Sequence, residues 1–81
     1  MQTVALIELS KDFEQNLLGN PALCQVPRME DKVVFDIDNM GYVFEVVEVH
    51  YGDEGRVDVF VKRVGAINVY WHDRNDKLLK Q

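Results

Sequence analysis

A single cysteine, Cys24, occurs in 81 residues, so no disulfide framework is possible within the chain. That usage fits a reducing compartment, and a cytoplasmic location is expected. There are two histidines, His50 and His72. Transition-metal sites pair their ligands at close spacing. Here Cys24, His50 and His72 stand singly, so no metal or other cofactor is expected. No apolar run approaches the ~20 residues that cross a bilayer, and Met1-Gln2-Thr3 lacks the basic start of a secretory signal. Positive charge is also short. The net charge is −5 and the pI about 4.8, which removes generic attraction to phosphate backbones or anionic membranes. A glycine-rich phosphate loop is missing too. Gly52-Asp53-Glu54-Gly55 carries the wrong charge for one and reads as a hairpin loop.

The chain has strand patterning in plenty. Hydrophobic residues make up 47% of it, far too many for intrinsic disorder. Between residues 32 and 72, valine and aromatic residues alternate with charges at period two. Four strands are predicted: Lys32 to Ile37, Tyr42 to Tyr51, Arg56 to Val64 and Ala66 to His72. The breaks are Asp38-Asn39-Met40-Gly41, Gly52-Asp53-Glu54-Gly55 and Gly65, with Asn39 and Gly41 expected to take positive φ. In the second strand the apolar register moves by one residue after Val46-Val47, which predicts a β-bulge there.

The N-terminal third reads differently. Leu6, Leu9, Phe13 and Leu17 are spaced three, four and four apart, which predicts a helix over residues 3–18 ending at Gly19. A rival reading makes Gln2 to Leu9 a strand, with Ser10 capping whatever follows. Residues 19–31, with both prolines, form a connector, and residues 73–81 a polar tail with at most a frayed turn of helix. The expected fold is one α+β domain. An N-terminal helix packs on a bent antiparallel meander of about four strands, with a half-open small barrel as its limiting form. Phe13, Phe35, Phe44, Val59 and Trp71 are the predicted core.

Constellations for chemistry are sparse. Asp36, Asp38 and Gly41 match the first, third and sixth positions of a calcium loop, but Met40 and Val47 stand where oxygen ligands are required. Cys24 between Leu23 and Gln25 lacks the surroundings of a nucleophile. Glu45 and Glu48 read as solvated surface. Catalytic residues are therefore expected to be none. Phe60 and Tyr70 interrupt the polar face of the sheet. Either the helix and connector cover them, or they form an interface between two copies, and a homodimer is expected on the second reading. Lys62, Arg63, Tyr70 and Arg74, in the mildly basic last third, are the alternative: contacts of a nucleic-acid-binding accessory protein.

The segment from Val26 through Val64, with its entry strand, long bent strand and return strand, resembles the small barrels of Src-homology type. It carries no peptide-binding aromatic motif of that class. Short, acidic and without motifs, the whole chain is similar in style to orphan proteins of mobile, integron-type gene cassettes. Neither resemblance carries a function over. With no catalytic or ligand motif in the chain, the expectation is a non-enzymatic module that binds a protein partner or itself, with no membrane role.

Overall fold

Asp38 and Asn39 both take positive φ, 52° and 67°, and this two-residue turn sets the register of the central hairpin. A loop with both central residues left-handed matches the twist of the strands it joins. It connects β5 (Lys32–Ile37) to β6 (Met40–Tyr51), pairing Ile37 with Met40 and Lys32 with Glu45. The turn is two residues tighter than expected. Gly41 lies inside β6 without positive φ, and its bare backbone answers a close approach instead. A Cβ there would sit 3.2 Å from Asp36 Oδ1 and 3.4 Å from Ile67 Cγ2.

The computed structural model describes residues 1–12 and 14–79. Ahead of that hairpin come β1 (Gln2–Thr3), β2 (Ala5–Leu9), β3 (Gln15–Gly19) and β4 (Ala22–Leu23). After it come β7 (Val57–Ala66) and one helix, α1 (Ile67–Leu79). Five strands form a sheet in the order β3-β2-β7-β6-β5, in which only β2 and β7 run parallel. β1 and β4 pair as a short antiparallel extension of the first hairpin, to which the Val4 N–H adds a bond to the Pro21 carbonyl at 3.0 Å.

Two expectations fall here. Residues 3–18 do not form a helix on a sheet: 54% of the described chain is strand, and the helix lies at the other end. β2 sits between β3 and β7, so both its edges are hydrogen-bonded, and Leu6 on its inner side is fully buried. Ser10 does cap backbone, but in a turn. Its Oγ accepts from the N–H groups of Asp12 (3.3 Å) and Glu14 (3.2 Å), closing the tip of the hairpin. The second correction concerns Ala66 to His72, which is not a fourth meander strand. β7 runs through Gly65 to Ala66, and helix begins at Ile67. β7 already has β2 on one side and β6 on the other, so no edge was left for a strand folding back beside it.

The bulge falls where the pattern put it. Val46 pairs with Val61 and Glu48 with Phe60, leaving Val47 as the extra residue. Val46 also bonds outward, donating to Asp31 O (2.9 Å) and accepting from Glu30 N (2.8 Å), which anchors the connector at the bend. The bent sheet curls until its two edges meet. β3 and β5 are at opposite ends of the strand order, yet a Cβ on Gly19 would stand 2.8 Å from Phe35 Cζ.

The curl encloses the core. Val4, Leu6, Val33, Phe44, Val46, Val57, Val59 and Val61 form one buried cluster, with Phe35, Leu23 and Val26 packed against it. Phe44 and Val59 are fully buried as expected, and Phe35 partly so. Trp71 is not core: it lies on α1 and is 50% exposed. Phe13 falls outside the described residues.

Candidate functional site

Charged side chains on the sheet pair across neighbouring strands. Glu45 on β6 receives Lys62 of β7 at 2.9 Å and Lys32 of β5 at 3.3 Å. Those two ammonium groups, Lys62 first, hold its carboxyl below the ordinary glutamate range. At the open rim of the core, Arg63 makes a two-pronged bond to Glu8 of β2, both distances 2.9 Å. Its guanidinium lies 4.8 Å from the Tyr42 ring centroid. Arg56 is committed as well, to Asp58 at 2.9 Å, and the carboxylate pushes the guanidinium pKa up.

This geometry bears on the residues singled out for nucleic acid. Lys62 and Arg63 alternate to opposite faces of β7, and each already has a carboxylate partner. Tyr70 and Arg74 are on α1, beside a groove of about 190 Å³ between the helix and Val64-Gly65 of β7. The four residues do not assemble into one stacking platform with free cations. Phe60, the first interface candidate, is 8% exposed. Ile7 and Glu48 flank it on the neighbouring strands, and the His50 ring lies tilted against it, centroids 4.6 Å apart. It is covered within one chain. Tyr70, the second candidate, is half-buried at the root of α1, edge-on to Trp71 at 5.5 Å.

The remaining hollows are shallow. One of about 730 Å³ lies over the β6–β7 loop, lined by His50, Tyr51, Asp53, Glu54 and Arg56 among others. Another of about 440 Å³ opens beside Ile7, Leu17 and Val57. Among the described residues no three His, Cys, Asp or Glu side chains gather as a metal site would require. Asp36 belongs to a strand and Asp38 to the two-residue turn that follows it.

What the structure adds is α1 itself. It has 13 residues and not one is buried. Its root meets the sheet, where Ile67 lies against Gly41. The long dimension of the molecule is 46 Å against 27 and 23 Å across. Val69, Trp71, Leu78 and Leu79 are 55%, 50%, 50% and 83% exposed, and Val64 beside the root is 46% exposed. Sequence reasoning took the start of this element for a strand and allowed its end no more than a frayed turn of helix. The signal available was Asp73 before Lys77 and Asp76 before Lys80, acid-to-base spacings of four that support helix, together with Leu78-Leu79 in an otherwise polar tail.

No protein-family model, no curated protein and no solved structure matches this chain. Among the described residues, no helix is long and apolar enough to cross a membrane.

Proposed function

We propose that this chain is a non-enzymatic protein-interaction module whose contact element is α1. One observation carries the reading: a 13-residue helix has no buried residue, yet displays a tryptophan and two leucines at half exposure or more. A single helix of this length is marginal in water, because most helical stability in proteins comes from packing an apolar face. Trp71 and Leu78 lie seven residues apart, two turns along one side of the helix, and exposed apolar groups grouped in this way mark an interaction site. The β-sheet body supplies a rigid base, and the helix supplies the surface that a partner covers. The exposed, unpaired Cys24 thiol suits the reducing cytoplasm, and we place the protein there.

Hydrogen exchange at low micromolar concentration tests this. Amides of β6 and β7 should be strongly protected, and those from Val69 to Leu79 should exchange close to free-chain rates. Protection of α1 equal to that of β7 in the dilute monomer would mean that the helix is held by its own body and offers no surface.

A further inference from the structure

We propose that the free edge of β5 is a self-pairing site: a second copy lays its own β5 antiparallel against it, about a two-fold axis through Val34. This concerns a different element from α1 and stands or falls apart from the reading of the helix.

The hydrogen-bonding parity of β5 follows from its turn. A two-residue hairpin loop is closed by a pair that exchanges backbone bonds, here Ile37 and Met40. Bonded pairs alternate along an antiparallel ladder, so Val33, Phe35 and Ile37 turn their N–H and C=O groups to β6. Asp31 keeps this parity at the far end, where its carbonyl accepts from the Val46 N–H at 2.9 Å. Lys32, Val34 and Asp36 therefore direct theirs away from β6. β5 ends the strand order, and among the described residues none of these groups has a backbone partner. All three residues are exposed, Val34 at 53%. The approach of β3 is made through the Phe35 ring to Gly19 and adds no ladder. A hollow of about 380 Å³ lies against Lys32, Val33 and Val34, lined also by Leu23, Cys24 and Pro27, so this part of the edge faces open space. Unpaired backbone groups on such an edge are a template for another strand.

The order of charges selects the strand. On the outer face Lys62, Glu45 and Lys32 form a row across β7, β6 and β5 in which the signs alternate, with contacts of 2.9 and 3.3 Å. Lys32 ends the row with a carboxylate on one side only. Asp36, on the same face of β5, has no cation partner among the described residues. A two-fold axis through Val34 sets Lys32 of each copy opposite Asp36 of the other, and Val34 opposite Val34. Opposite charges directly across an antiparallel pair stabilise it, and like charges destabilise it. Both rows then continue their alternation into the second copy, and each exposed valine is covered by its twin. An axis at Lys32 or Asp36 would oppose like charges. One at Val33 or Phe35 would set a charge against Val34. The contact is isologous, the form closed dimers take.

The ladder spans only Lys32 to Asp36, and each copy carries a net charge of −5. One short strand edge buries far less than the ~800 Å² per partner of a stable complex. The dimer should therefore be reversible, with its population rising as concentration rises.

Light scattering from low micromolar to near-millimolar protein should show the mass climbing from 9.4 kDa towards twice that value. Amide exchange at the two ends of this range locates the contact. The Val34 and Asp36 amides should slow severalfold at high concentration, and those of α1 should not change. Val34→Pro removes the outward N–H at the centre of the contact, a place where proline leaves the β5–β6 ladder intact. Its mass should stay at 9.4 kDa, with the urea midpoint of the dilute protein unaltered. Asp36→Lys makes each copy less negative by two charges. General repulsion then falls, so a contact elsewhere would strengthen, whereas pairing about Val34 sets the new ammonium against Lys32 and should abolish the rise in mass. Constant mass of the parent protein at every concentration would overturn the second copy. A rise that survives Val34→Pro, that persists or grows in Asp36→Lys, or that protects α1 in place of β5, would overturn the β5 edge. None of these results alters the exchange rates of α1 in dilute protein, on which the reading of the helix is judged.

Discussion

Phe44→Ala should remove much of the stability of this protein, and the structure shows why. The ring is 0% exposed, at the centre of the enclosed cluster formed by Val4, Leu6, Val33, Val46, Val57, Val59 and Val61. β6 and β7 are held by ladders on both sides, so the site cannot collapse to fill the space. Truncation of a buried phenylalanine costs about 3–5 kcal/mol. The Arg63 guanidinium, 5.5 Å from the ring centroid, adds about 0.5 kcal/mol that is lost with the ring. A domain of 81 residues has roughly 4–12 kcal/mol to lose. With a urea slope of about 1–1.5 kcal/mol/M, the midpoint should fall by roughly 2–5 M, or the protein should unfold in buffer. Far-UV circular dichroism is the right probe, because Trp71 is remote from the core and half exposed. Trp71→Ala, measured dilute, is the companion variant and should cost less than about 1 kcal/mol. A shift below about 1 M for Phe44→Ala, or an equal loss from Trp71→Ala, would refute this assignment of core and surface.

Gly19→Ala should destabilise by about 1–3 kcal/mol, since its Cβ would fall 2.8 Å from Phe35 Cζ where the sheet edges meet. A Phe35→Leu background should relieve most of that loss in a double-mutant cycle, and strict additivity would show that the two edges do not touch. Glu45 has a depressed carboxyl pKa, so its contribution is present above the unfolded value and disappears as pH falls through the folded one. Glu45→Gln should therefore lower the urea midpoint at neutral pH and flatten its decline between about pH 5 and pH 3. A decline as steep as that of the parent would assign the acid sensitivity to other carboxylates.

The central hairpin and its bulge were legible because short-range rules determine them. Asp38-Asn39 is a pair that tolerates left-handed backbone, and Val46-Val47 is a slip of register that only one extra residue resolves. Neither requires knowledge of what lies across the sheet. The N-terminal segment does require it. Leu6, Leu9 and Leu17 keep helical spacing, and Gly19 ends the pattern as a helix terminator would. The parallel pairing of Ala5–Glu8 with Asp58–Val61 overrides that spacing, and it joins residues more than fifty positions apart. Gly19 is then required for a different reason, the passage of Phe35. The strand alternative with Ser10 as a capping residue lay closer to the outcome, because a hydroxyl that binds nearby N–H groups serves a hairpin tip as well as a helix start.

The C-terminal misreading has a consequence for function. Ile67, Val69 and Trp71 alternate at period two, and so looked like one face of a strand. Once β2 and β6 occupy both edges of β7, the segment has no strand to pair with, and its balanced acid-to-base spacings favour helix. At about 100° per residue, an alternating pattern does not form a stripe. Relative to Ile67, Val69 points roughly 200° round the axis and Trp71 roughly 40°. A helix that meets its sheet at one root cannot bury Val69, on the far side from Ile67, and Trp71 lies a full turn beyond the contact. Ile67 is satisfied against Gly41, while Val69 and Trp71 remain half in solvent. The conflict between pattern and conformation that hid the helix in the sequence is thus what leaves its apolar groups uncovered. These are the groups that the proposed interaction would cover, which is why the contact element is sought on α1 and not on the sheet face that Phe60 had suggested.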